Sequence, residues 1–238
     1  MPLAKAISAW EATSGESAAE AKEIKIMGGV PQDDGKKRVF ITRLDATLGS
    51  LANCECQLRA QHHPAAVRRR LSLSTNLIDK MFALTGMSNL KILSLARNRL
   101  KRIEKLEDVA DTLEQLWLSY NEISSLDGLQ GMNKLEVLYM SNNSIKEWSE
   151  LDKLAELESL REVLFIGNDI YDGLEPEMAR LMVVKHLPNV RGSGGASSAR
   201  RITQQLAHWC RNARLPAQIT KVDAVLIKDD DRQRAAEL

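Results

Sequence analysis

The stretch Leu113–Ile123, LEQLWLSYNEI, decides the fold. Side chains alternate across a strand, so if Leu116 and Leu118 face a core, Trp117 points the other way with Ser119 beside it. An outward tryptophan in a solitary strand would carry little meaning. This stretch is not solitary. Its template, L-x-x-L-x-L-x-x-N-x-L, also fits Leu90–Leu100 (LKILSLARNRL), Leu135–Ile145 (LEVLYMSNNSI) and Leu160–Ile170 (LREVLFIGNDI). A further copy at 68–78, RRRLSLSTNLI, keeps Leu71, Leu73, Asn76 and Ile78 and carries Arg68 at the leading leucine position.

The asparagines of these copies, Asn76, Asn98, Asn121, Asn143 and Asn168, are spaced by 22, 23, 22 and 25 residues. A continuous helix does not account for this, because the period-two core recurs only once per repeat. The spacing predicts an α/β leucine-rich-repeat solenoid: a parallel concave sheet, short helices or turns on the convex side, and helical caps at both ends. The asparagines are expected to satisfy buried backbone groups where the chain leaves each strand. Lys101–Thr112 (KRIEKLEDVADT) reads as a convex helical turn, and Trp148 as core.

The variable positions then build the concave face in rows. One row holds Arg70, Ile92, Gln115, Val137 and Glu162; the next Ser72, Ser94, Trp117, Tyr139 and Leu164; the third Ser74, Ala96, Ser119, Ser141 and Ile166. Trp117 is therefore expected among Ile92, Val137, Tyr139, Leu164 and Ile166 on one solvent-facing surface. A contiguous apolar patch carrying Trp and Tyr marks a protein-binding site.

The bulk properties leave few other classes. The chain has 238 residues and net charge +1, which rules out neither partner class but gives no global polyanion-binding signature; no nucleic-acid or membrane partner is expected. No run of about 18 apolar residues occurs, and MPLAKAISAWEATSG lacks the apolar region of a secretory signal. Cys54, Cys56 and Cys210 are too few for a disulfide framework and suggest a reducing compartment. The expectation is a soluble intracellular protein.

Residues 1–191 are read as the N-terminal cap and solenoid. Leu3, Ile7 and Trp10 stand at helical spacing before Gly15, capping a degenerate first repeat, KEIKIMGGVPQ. A second helix is expected from Pro176, with Leu181 and Val184 apolar, ending before Pro188. Three stretches interrupt the order: 33–40, 56–69 and 192–220, the last read as a flexible insertion before a charged tail at 221–238. They carry +1, +3 and +4, leaving the rest of the chain at −7, so they are foreign in composition to the body. Loops of this length cost little to close.

With these stretches set aside, the chain closely resembles the dynein axonemal light chain 1 family, the leucine-rich-repeat light chains of outer-arm dynein. The resemblance rests on AEAKEIKI, LDATLGSLANCE, RLSLSTN, LKILSLARN, VADTLEQLWLSYNEI, LEVLYMSNN, KLAELESL and VVKHLPNV, which span most of 3–191. Removing 56–69 yields CERLSLSTN, similar to the family's uninterrupted text. The resemblance implies a non-enzymatic subunit without cofactors, located in the cytoplasm at the axonemal cytoskeleton of cilium or flagellum. It implies that the concave face binds the microtubule-binding stalk-tip domain of an outer-arm heavy chain, with tubulin as a further contact. It also implies a motor-control role for a Met, an Asp and an Arg in the terminal helix. The matching positions here are Val225, Lys228 and Arg232, so only the Arg is retained.

Other readings are weaker. A scaffold regulating another partner, such as protein phosphatase 1, would use the same face but a longer array. The spacing of Cys54, Cys56, His62 and His63 does not match a structural zinc site, so no metal is expected. Gly192, Gly194 and Gly195 lack the Lys-Ser/Thr of a phosphate loop and read as a linker. No catalytic set stands out. The stretch 199–214, ARRITQQLAHWCRNAR, is a basic amphipathic segment of the kind that engages acidic surfaces.

Overall fold

The computed structural model describes residues 2–18, 21, 23–31, 38–44, 69–187 and 234–238. The first helix, α1 (Leu3–Ser14), buries Leu3, Ala6 and Ile7 on one stripe, and Trp10 packs partly buried beside them. It stops where Gly15 turns left-handed (φ 73°) and donates its N–H to the Glu11 carbonyl. This is the expected N-terminal cap.

Strands β1 (Glu23–Lys25), β4 (Arg69–Ser72), β5 (Leu90–Ser94), β6 (Gln115–Trp117), β7 (Val137–Tyr139) and β8 (Glu162–Leu164) form one parallel sheet in that order. Leu71, Leu93, Leu116, Leu138 and Val163 stand in register along it. Strands of three to five residues make few ladder bonds. The stacked leucines hold the solenoid, each contributing roughly 1.5–3 kcal/mol when fully buried. Leu113, Leu116, Leu118, Ile123, Leu135, Leu138 and Ile145 have no solvent exposure. The chain's return path is mostly turns, with short 3₁₀ pieces at Glu107–Val109 and Asp169–Tyr171 and one helical turn, α2 (Ser149–Asp152). Trp148 packs partly buried against this core and stacks on His186 with ring centroids 5.7 Å apart.

The asparagines form a column of identical bonds. Asn121 Oδ1 accepts the Leu100 N–H at 3.0 Å, while its Nδ2 donates to the carbonyls of Leu118 (2.8 Å) and Leu95 (3.2 Å). Asn98, Asn143 and Asn168 repeat the pattern one repeat earlier or later. Each side chain ties its own turn to the repeat before it.

The residue preceding each asparagine was not singled out by the sequence template. Thr75, Arg97, Tyr120 and Asn142 all have φ between 54° and 60°, and Gly167 has φ 78°. This left-handed backbone costs an L-residue roughly 1–2 kcal/mol. Here it aims the N–H at the next repeat: Arg97 donates to the Ser119 carbonyl and Tyr120 to that of Ser141, both at 2.8 Å.

Two interruptions meet the described structure. In the first repeat, Asn76 reaches Ile26 O (2.9 Å) and the Ile41 N–H (3.0 Å), so the column resumes at Ile41. Between them the chain leaves the solenoid as an antiparallel pair, β2 (Val30–Pro31) against β3 (Arg38–Val39). The stretch expected at 33–40 therefore ends in a hairpin strand. The stretch 56–69 ends at Arg69, and the β4–β5 register slips between Arg69 and Arg70. That slip lies beside Arg68, where the template lacks its leading leucine.

At the far end, α3 (Pro176–His186) begins at the expected proline. Val183 and Leu187 join the main core, whereas Leu181 and Val184 pack on Ala235 near the C-terminus. Arg234 also donates to Glu177. The insertion at 192–220 lies outside the described residues.

On the convex side, Lys153 Nζ sits 2.7 Å from Asp127 Oδ1 and 2.9 Å from Glu150 Oε1. Glu150 Oε2 accepts the Leu126 N–H and the Ser125 hydroxyl, both at 2.8 Å. This polar clasp holds the turn at 125–128 against α2.

Candidate interaction face

The strand registers reproduce two of the three rows. Arg70, Ile92, Gln115, Val137 and Glu162 pair in one line, and Ser72, Ser94, Trp117, Tyr139 and Leu164 in the next. Ile92, Trp117, Val137, Tyr139 and Leu164 therefore share the concave face. They are half-buried there, where the sequence predicts an open apolar patch. Ile166 is the exception at 43% exposed, placed at the β8 end of the face. Arg232, Val225 and Lys228 lie outside the described residues, as do Cys54, Cys56, His62 and His63.

At the centre, Trp117 and Tyr139 stack with ring centroids 5.8 Å apart and planes 30° from parallel. The sequence rows do not reveal what brackets this ridge. From one side the Arg70 guanidinium lies over the indole, 4.5 Å from the ring centroid. Arg70 stands two strands away and reaches Trp117 across β5, whose residue in that row is the small Ser94. Its Nε is 3.3 Å from Glu23 Oε1, near enough for charge pairing but without a hydrogen bond. From the other side the Tyr139 hydroxyl donates to Glu162 Oε1 at 2.6 Å. Burial first, and then the neighbouring Glu162 carboxylate, push the phenol pKa up, so Tyr139 remains a proton donor. The result is a line across the sheet, Glu23–Arg70–Trp117–Tyr139–Glu162. The available clue was positional: Arg70 and Glu162 occupy one row, on either side of the aromatics.

Beside the ridge runs a floor of small residues. Ser72, Ser74, Ser94, Ala96, Ser119 and Ser141 are all buried. The Ser74 hydroxyl bonds that of Ser94 at 2.6 Å and lies 3.3 Å from that of Ser72. Trp117 Nε1 and Ser119 Oγ, by contrast, are buried without a hydrogen-bond partner among the described residues. A small void of about 10 Å³ lies beneath the sheet among Leu44, Leu71, Leu73, Met81 and Phe82. That is too small for any cofactor. Chemically, the face offers an aromatic ridge, a trough of hydroxyls and a few polar groups in need of acceptors.

The repeats, the sheet and the asparagine column define a leucine-rich-repeat protein, and a family model described as Leucine Rich repeats (2 copies) matches residues 111–153. Among curated proteins, Dynein axonemal light chain 1 of Danio rerio is 51% identical over 168 residues, 71% of this chain and 76% of that protein. The Chlamydomonas reinhardtii protein of that name is 45% identical over 194 residues, 80% and 87% of the two chains. The Homo sapiens one is 49% identical over 168 residues, 71% and 77%. This chain belongs to the dynein axonemal light chain 1 family. Membership places it in the axonemal cytoskeleton of the cilium or flagellum. A solved structure, the SNF/U2A′ complex of Drosophila melanogaster, aligns with TM-score 0.53 at 19% identity, covering 83% of this chain and 92% of that one. It shows the shared fold alone.

Proposed function

We propose that this chain is a non-catalytic light chain of axonemal outer-arm dynein. Its concave face binds the microtubule-binding stalk-tip domain of a heavy chain and tunes the motor's engagement with its track, with tubulin as a further contact. Family membership supports the dynein assignment. The observation that carries the choice of face is the stacked Trp117–Tyr139 ridge, set between charged residues at the middle of the open sheet. Tryptophan, tyrosine and arginine dominate protein-binding hot spots because they pair large contact areas with polar handles. Small neighbours at positions 94, 96, 119 and 141 leave the ridge standing above the floor, where a partner can grip it.

The test is a titration of the full chain against an isolated outer-arm stalk-tip domain. A Trp117→Ala, Tyr139→Ala double variant, confirmed folded by its circular dichroism spectrum, is expected to lose about tenfold or more in affinity. Unchanged binding by that variant would move the site off this face. No binding by the parent would sink the stalk-tip reading and make a phosphatase-1 catalytic subunit the next partner to try.

A further inference from the structure

The concave trough is short of hydrogen-bond acceptors. Three donors along it lack a hydrogen-bond partner among the described residues: Arg70 Nε, Trp117 Nε1 and Ser119 Oγ. Each is buried at the atom, and Ser119 is only 4% exposed as a residue. Buried donors are nearly always satisfied, so several together in one trough need an explanation. Ser119 lies two residues beyond Trp117, where the inter-repeat ladder continues past β6 through the Leu118 and Tyr120 N–H groups, so the two project to the same face. Arg70 reaches Trp117 across Ser94 and rests on the indole. At the opposite end, Tyr139 already has Glu162 as its acceptor. The missing acceptor thus belongs over β4–β6 and not over β7–β8.

We infer that the trough beside Arg70 receives an acidic side chain of the partner protein, whose carboxylate accepts from Trp117 Nε1, Ser119 Oγ and Arg70. This rests on the concave-face reading above and specifies its chemistry. A carboxylate offers two oxygens and about four acceptor sites, enough for several converging donors, and it meets positive charge. A single neutral carbonyl offers fewer acceptor sites and no charge. Arg70 is the movable part. Its side chain is about a quarter exposed, and among the described residues its one anionic contact is the 3.3 Å approach to Glu23. The entering carboxylate draws the guanidinium off the indole and bonds to both.

The donor can be deleted without deleting the ring. Replacing Trp117 with β-(3-benzothienyl)alanine puts sulphur where the indole has N–H and keeps the stacking area. The stalk-tip domain is expected to bind this variant about tenfold more weakly, the size of a charge-assisted hydrogen bond. Ser119→Ala and Arg70→Gln should each weaken binding, and the two should not be additive with the Trp117 change. In parallel, the Trp117 indole N–H resonance, assigned by its loss in Trp117→Phe, is followed on adding blocked hexaglutamate or hexaglutamine. Saturable downfield movement with hexaglutamate alone is the supporting result. Equal movement with both peptides, or with neither, overturns the inference. So does full-strength binding of the benzothienyl variant, which would leave the concave-face reading standing. If the parent chain does not bind the stalk tip at all, the proposed function fails, and the peptide experiment still decides this point.

Discussion

Asn121 and Trp117 lie four residues apart in one repeat, and their neighbours treat them in opposite ways. Asn121 makes three hydrogen bonds to backbone groups of two repeats, and four other asparagines make equivalent ones. The position of Trp117 holds serine, tyrosine or leucine in other repeats, and Trp117 leaves its N–H unmatched among the described residues. The asparagine column does its task inside the solenoid, so any departure from asparagine leaves buried groups unpaired. The concave rows are under no such demand. A strand of this sheet is satisfied by its leucines and its ladder, whatever the outward side chain may be. Identity at the column follows from partners fixed in the preceding repeat; variety on the face follows from the lack of any such fixed demand on the outward side chain.

The largest expected effect breaks the column. Asn121→Ala orphans the Leu100 N–H and removes donors from two carbonyls at the core edge. At about 1–3 kcal/mol for a buried group left unsatisfied, the cost is expected to reach about 3–5 kcal/mol. It should appear as a lowered denaturant midpoint. A loss below about 1 kcal/mol would mean that water replaces the side chain, and the contrast with Trp117 would collapse.

Gly128→Ala tests the same interior on the convex side. Gly128 has φ 90°, and a Cβ there would meet the Ile103 carbonyl oxygen at 2.2 Å. Lys105, seven residues after its own asparagine as Gly128 is after Asn121, adopts φ 61°. Left-handed backbone is therefore tolerated at this place in a repeat; the lack of space at 128 is what excludes a side chain. With overpacking at about 1–3 kcal/mol and the conformational strain in addition, a loss of about 2–4 kcal/mol is expected in the same measurement.

Substitution on the face should behave differently. Trp117→Ala with Tyr139→Ala removes one stacked pair, itself about 0.5–1.5 kcal/mol, and some half-buried area. The expected cost in stability is about 1–2 kcal/mol, less than for Asn121→Ala, while partner binding falls far more. A double variant destabilised as strongly as the asparagine variant would show the ridge to be part of the core.

The repeat itself was legible because its signal is redundant: the same leucines and asparagines recur at a fixed period. The concave rows followed from strand alternation alone, and the registers agree residue by residue for the two rows within the strands. Three things were not legible, for physical reasons. The left-handed residue before each asparagine varies as Thr75, Arg97, Tyr120, Asn142 and Gly167, because its backbone and not its side chain does the work. The Arg70–Trp117 contact spans two strands and depends on Ser94 being small, which no single-repeat pattern encodes. The hairpin at Val30–Pro31 and Arg38–Val39 was visible only as an interruption, since two-residue strands carry almost no periodicity.

The smallest effect concerns the convex clasp and its pH dependence. Burial pulls the Glu150 carboxyl up, but hydrogen bonds from Lys153, the Leu126 N–H and Ser125 outweigh it and hold its pKa below the ordinary glutamate value of 4.5. The hydrogen bond from Lys153, with that of Ser125 behind it, likewise lowers Asp127 below 3.8. Groups whose pKa is depressed on folding stabilise the fold above their unfolded values and lose that contribution as pH falls through the folded ones. The clasp is therefore fully effective above about pH 4.5 and fades on acidification below it. Lys153→Met removes the shared cation, so its denaturant midpoint should decline less steeply than the parent's across this acid range. At neutral pH the two should differ only slightly, because partly exposed ion pairs contribute little. Parallel acid limbs would assign the clasp's hold on α2 to the Leu126 and Ser125 hydrogen bonds alone. Glu150 would then be held by neutral donors, as the asparagine column is held, with no measurable contribution from the shared cation.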